Sequence, residues 1–133
     1  MDHSDIAEHR RAFDTFQKSA DEFREVLQSR NIEKITHAAR HLSSYAGRLF
    51  VFPLAPVTPS QEKRQILENT LVLTTRCWRD LQSLLDLHTP EQIQFSANLS
   101  TIAMIRKHMA ERLQGLRQSR EIADLIFKKV SQI

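Results

Sequence analysis

Apolar residues in this chain recur at steps of three and four, and no segment alternates as a strand would. A period near 3.6 gathers such residues on one side of a helix, whereas a half-buried strand needs period two. Ile6, Phe13, Phe16, Ala20, Phe23 and Leu27 predict a first helix over about 4–28, with Ser4 as its cap and Asp5 and Glu8 in the first turn. Asn31 caps a second, over about 31–50, striped by Ile32, Ile35, Ala39, Leu42, Ala46 and Leu49. Gly47 lies inside that helix, where it costs about 1 kcal/mol relative to Ala, so a close contact or a bend is expected there.

Proline supplies the punctuation. Pro53, Pro56 and Pro59 make 52–59 a linker, since none of them can sit in a helix interior. Thr58-Pro59-Ser60-Gln61 and Thr89-Pro90-Glu91-Gln92 both read as a capping Thr, a Pro at the first helical position and a Gln two residues after it. They bracket a third helix over about 59–87, with Ile66, Thr70, Leu73, Cys77, Leu81 and Leu84 on one face and Leu67, Leu71, Trp78 and Leu85 beside it. A fourth is expected over about 90–116, ending near Gly115. A fifth, over 119–132, restarts at Ser119 and carries Ile122, Leu125, Ile126 and Val130. The expected fold is all-α: a single-domain bundle, spanning 1–133, of four to five amphipathic helices sharing their stripes.

Composition closes other routes. Cys77 is the only cysteine, which rules out an internal disulfide or a cysteine-rich zinc site. Two glycines are too few for a phosphate-cradling loop. The start, Met1-Asp2-His3-Ser4-Asp5, lacks the plan of a signal peptide, and the apolar run from Leu49 to Val57 is far short of the ~20 residues that span a bilayer. A cytoplasmic protein without a membrane span is expected.

Candidate chemistry is sparse. His37 and His41, four residues apart, point the same way as in metal-binding bundles, which makes a metal-binding bundle one alternative reading. The Glu-x-x-His pairs of di-iron bundles are absent, and no metal or cofactor site is expected. Cys77 reads as a small buried hydrophobe, no Ser or Cys sits on a glycine elbow, and no carboxylate pair stands out by its spacing. A non-enzyme is expected. From Arg106 onward, Arg106, Lys107, Arg112, Arg117, Arg120, Lys128 and Lys129 outnumber the acidic residues. Few aromatics interleave with them, so they read as a solvated helix face rather than a nucleic-acid surface.

The apolar linker asks for a partner of some kind. Phe50, Phe52, Leu54 and Val57 are each worth roughly 1.5–3 kcal/mol if buried, either over the end of the bundle or against another protein. Phe50, Phe52, Leu54, Trp78, Phe95 and Phe127 are the expected partner-binding residues.

Two resemblances to known families follow from these segments. Ala38 to Gly47 resembles the active-site helix of histidine phosphotransfer domains. The phosphorylatable histidine falls on Arg40, the lysine on Ser43 and the small glycine on Ser44, which leaves a signalling adaptor without a phosphoacceptor. The second resemblance runs from the second predicted helix to the end of the chain. Glu33 with Ile35, Ala38, Ala39 and Leu42 comes first, then Leu71 to Trp78 followed by Leu81. Thr89-Pro90-Glu91-Gln92-Ile93 then leads into Ile102, Ala103 and Met104, and Ile122-Ala123-Asp124-Leu125-Ile126 closes the series. This order is similar to that of the FlaF family of bacterial flagellar biogenesis factors. Thr75 stands at that family's Asn, Cys77 at its Leu before Trp, and Thr89 at its Leu before Pro; Phe127 and Lys128 occupy the place of its late Asn. The resemblance implies a cytoplasmic, non-enzymatic chaperone that supports flagellin production or export. Its expected partner is flagellin, another secretion client or an FlbT-like regulator, held in a helix-lined apolar groove.

Overall fold

Five helices follow one another in the computed structural model, which describes residues 3–49 and 60–132: α1 (His3–Leu27), α2 (Ile32–Arg48), α3 (Gln61–Asp86), α4 (Pro90–Phe95) and α5 (Ala97–Ser131). No strand occurs among the described residues, and the fold is the all-α bundle that the periodicity predicts. The linker at 52–59 lies outside the described residues.

Local hydrogen bonding explains where each helix starts. The Asn31 side chain accepts the Lys34 N–H at 3.1 Å and caps α2 as expected. Ser4, by contrast, already lies inside α1. The turn between α1 and α2 is closed by Ser29, whose hydroxyl donates to the Val26 carbonyl at 2.6 Å and accepts the Asn31 N–H at 3.2 Å. Arg30 sits there at φ 56, the left-handed region that usually goes to glycine after a helix.

The expected start of α3 shifts by two residues. Its N-cap is Ser60, whose Oγ accepts the Lys63 N–H at 3.1 Å, in place of Thr58; Thr58 and Pro59 lie outside the described residues. The second box forms as read: Thr89 accepts from the Gln92 N–H and the Gln92 side chain accepts from the Thr89 N–H. The helix it opens is short. Ser96 adopts φ -103 and ψ 119, ends α4 and caps α5 by accepting the Leu99 N–H at 3.2 Å. A serine that offers the backbone a local acceptor competes with helix continuation, and the Ser100 hydroxyl fixes the corner by donating to the Ile93 carbonyl at 2.6 Å.

Gly115 does not end a helix, and Ser119 does not restart one. The predicted fourth and fifth helices fuse, apart from the α4 corner, into the 35-residue α5, about 52 Å long. Leu113 and Leu116 are buried on either side of Gly115, and each is worth roughly 1.5–3 kcal/mol, more than the ~1 kcal/mol that a mid-helix glycine costs.

Ion pairs and hydrogen bonds reveal the topology. Arg10 with Glu62 and Asp21 with Arg76 show that α1 and α3 run in the same direction. Arg64 with Asp124, Glu68 with Arg120 and Gln82 with Arg106 pair α3 and α5 antiparallel in one continuous register. The tight turn after α1 sends α2 back along it, and α2 meets α5 at Ser43 and Arg112. The main core gathers Phe16, Phe23, Ile35, Leu42, Leu81, Ile102 and Met109 from all four long helices. A second cluster, Leu67, Leu71, Leu113, Leu116 and Ala123, is built from α3 and α5, and Trp78 packs against both.

Gly47 faces Arg112. A Cβ at this position would lie 3.1 Å from the guanidinium, which donates to the Ser43 carbonyl at 2.9 Å and to its hydroxyl at 3.1 Å. The expected close contact is thus an arginine clamp between α2 and α5. A double-mutant cycle separates its parts: Gly47→Ala is expected to stabilise by up to about 1 kcal/mol in an Arg112→Ala background and to lose most of that gain in the parent, as read by urea unfolding. In the same assay Arg30→Gly is expected to stabilise by about 0.5–1 kcal/mol through relief of the left-handed backbone.

Candidate functional site

Two surfaces gather exposed chemistry, at different places on the bundle. The first is a groove of about 590 Å³ between α1 and α2, lined by Ser19, Glu22, Val26, Glu33, Lys34, His37, Ala38, His41 and Tyr45. Helical spacing stacks His37, His41 and Tyr45 in one column along its wall. The Nε2 atoms of His37 and His41 are 3.2 Å apart, so one ring donates and the other accepts. The two rings meet edge to face at 4.6 Å, His41 stacks on Tyr45 at 6.3 Å, and the Arg48 guanidinium lies 5.0 Å from the Tyr45 ring centre. Among the described residues, no group of three or more His, Cys, Asp or Glu side chains converges to hold a metal ion.

The second surface is the C-terminal part of α5. Its partner α2 ends at Arg48, a little beyond the level of Arg112, while α5 continues to Ser131 against the N-terminal half of α3. The flank of α5 past that point leaves Ile122 56%, Leu125 68% and Val130 41% exposed. Ile122, Leu125, Ile126, Lys128, Lys129 and Gln132 line a shallow groove of about 440 Å³ there. The strip is apolar and rimmed by the ammonium groups of Lys128 and Lys129.

Of the residues expected to bind a partner, the three that are described, Trp78, Phe95 and Phe127, stand apart from one another. Phe50, Phe52 and Leu54 lie outside the described residues. Trp78 is half-buried as a wedge between the two clusters, and its Nε1 has no hydrogen-bond partner among the described residues. Phe127 is half-buried beneath the Arg64 guanidinium, 4.4 Å from its ring centre. Phe95 is 83% exposed on α4, at the opposite end of α5 from Phe127.

The basic tail divides in a way the sequence does not show. Arg106 bonds Gln82, Arg112 bonds Ser43, and Arg120 pairs with Glu68 at 2.6 Å and Asp124 at 3.7 Å. These three tie helices together, while Lys128 and Lys129 remain exposed beside the apolar strip. In the segment that resembles a phosphotransfer helix, Arg40 is exposed and Ser43 is held by Arg112.

Cys77 is buried in the main core, and burial pushes its thiol up to about 12, with Arg76 offsetting only part of that rise. Among the described residues, no helix is long and apolar enough to cross a membrane. No family model, curated protein or solved structure matches this chain.

The Cys77 thiol gives a signed pH dependence. Its folded value lies above the ordinary value of 9.0, so the folded state keeps a proton that the unfolded chain releases. Stability is full below pH 9 and falls as pH rises towards 12. Relative to Cys77→Ala, the parent's unfolding free energy is expected to drop with a slope approaching about 1.4 kcal/mol per pH unit in that window, measured by denaturant titration at stepped pH.

Proposed function

We propose that this chain is a non-enzymatic protein-binding bundle that receives an amphipathic helix of a client on the C-terminal face of α5. The observation that carries this reading is the exposed strip of Ile122, Leu125 and Val130 on a helix that outruns its α2 partner. Leu125 and Ile126, three and four residues after Ile122, line the groove with it, which matches the way an amphipathic client presents its own apolar positions. Lys128 and Lys129 on the rim favour a client whose apolar face is edged by carboxylates. Burial of Leu67, Leu71, Leu113, Leu116 and Ala123 fixes this part of α5 against α3, in the register that Arg64–Asp124 and Arg120–Glu68 mark.

The resemblance to the FlaF family suggests the client class: the terminal amphipathic segments of flagellin, which need cover before they assemble. Under this reading the protein acts as a cytoplasmic chaperone, with no bond made or broken on it.

Calorimetry with peptides spanning the N- and C-terminal helices of flagellin tests the proposal. Heat and a stoichiometric complex on size exclusion are expected for the parent. A variant carrying Ile122→Asp and Leu125→Asp is expected to bind at least about tenfold more weakly while its circular dichroism is unchanged. No heat with either peptide would remove flagellin as the client, and undiminished binding by the variant would remove the α5 face as the site.

A further inference from the structure

We infer that His37 and His41 form a binding site for a divalent transition-metal ion of the zinc or copper type, open to solvent in the groove between α1 and α2. The site is separate from the α5 face and independent of the client reading.

Geometry carries the inference. A zinc–imidazole bond is about 2.0–2.1 Å long, and two nitrogens 3.2 Å apart on such bonds subtend roughly 100–105° at the metal, close to a tetrahedral angle. The separation of the two Nε2 atoms therefore already matches that of two ligands on one ion. On binding, the ring that donates moves its proton from Nε2 to Nδ1 through solvent, so both rings stay neutral and each Nε2 lone pair makes a metal bond in place of the Nε2–Nε2 hydrogen bond. Packing limits how far the rings drift: His41 stacks on Tyr45, whose ring lies under Arg48, and His37 meets His41 edge-on. A pair of ligands held in this way loses less rotamer freedom on binding than two free side chains.

The chemistry of the donors selects the ion. Neutral imidazole suits zinc and copper, while magnesium and calcium call for oxygen ligands. Glu22 and Glu33 line the same groove and favour a cation there, against the opposing charge of Lys34. No third side chain among the described residues completes the shell, so the remaining positions are filled by water or by a donor brought from outside. The signal legible in the sequence was the four-residue spacing. The approach of the two nitrogens is a property of the folded helix.

Titration of the purified, metal-free protein with zinc chloride, followed by histidine side-chain nuclear magnetic resonance, tests the inference. The Nε2 signals of His37 and His41 are expected to move together and to saturate, with half-saturation at micromolar zinc. His37→Ala and His41→Ala are each expected to weaken binding by about tenfold or more, because either loss breaks the chelate. His108→Ala, on the exposed side of α5, is expected to leave it unchanged. Both substituted histidines are exposed, so the variants are expected to fold, and circular dichroism checks this. Absence of saturable binding up to millimolar zinc would overturn the site, as would affinity retained in both single variants.

Discussion

The pairing of α5 with α3 is the constraint on which the rest of the bundle depends. Both are long, they run antiparallel, and they share residues of both apolar clusters. Exposed ion pairs are individually worth little, typically 0–1 kcal/mol, so Arg64–Asp124 and Arg120–Glu68 do not hold the pair together alone. They mark a register that the burial of Leu67, Leu71, Leu113 and Leu116 sets. A slip of this register would turn those leucines away from each other and leave the guanidinium groups without their carboxylates. The two kinds of contact therefore select the same alignment.

A length mismatch then creates the surfaces of interest. α1 and α2 form a hairpin that packs over part of the α3–α5 pair, and α2 stops at Arg48. The Arg112 clamp on Ser43 and the close approach at Gly47 fix α2 against the middle of α5. The distal part of α5 is thus supported by α3 on one flank and meets no described helix on the other. Apolar side chains on that second flank are exposed because no described helix reaches them. On the opposite side of the hairpin, the column of His37, His41 and Tyr45 faces the solvent-open groove shared with α1.

Much of this was legible in the sequence, and the exceptions have physical causes. The stripes of Phe16, Ala20 and Phe23 and of Ile35, Ala39 and Leu42 are core residues because helical spacing leaves them on one side. Asn31 and Thr89 act as caps because their side-chain oxygens reach backbone N–H groups three residues on. Ser96 is one of several small polar residues in its stretch, with Asn98, Ser100 and Thr101, and nothing in the sequence marks it as the one that caps a helix. At Gly115 and Ser119 local propensity points to a helix end and a restart, and it loses to burial on both sides of them. The basic residues of the tail carry no mark in the sequence that separates structural from exposed charges. Only the fold separates Arg106, Arg112 and Arg120, which cross to other helices, from Lys128 and Lys129, which do not. The two histidines were visible as a pair, but the distance between their nitrogens was not.

Trp78 is the sole indole of the chain, and it sits at the seam of the two apolar clusters. Its emission reports on both regions at once. If the distal α3–α5 cluster loosened while the four-helix core stayed intact, one side of the ring would become wet and the other would not. The fluorescence spectrum would then pass through an intermediate position. A single cooperative shift would instead mean that the two clusters melt as one.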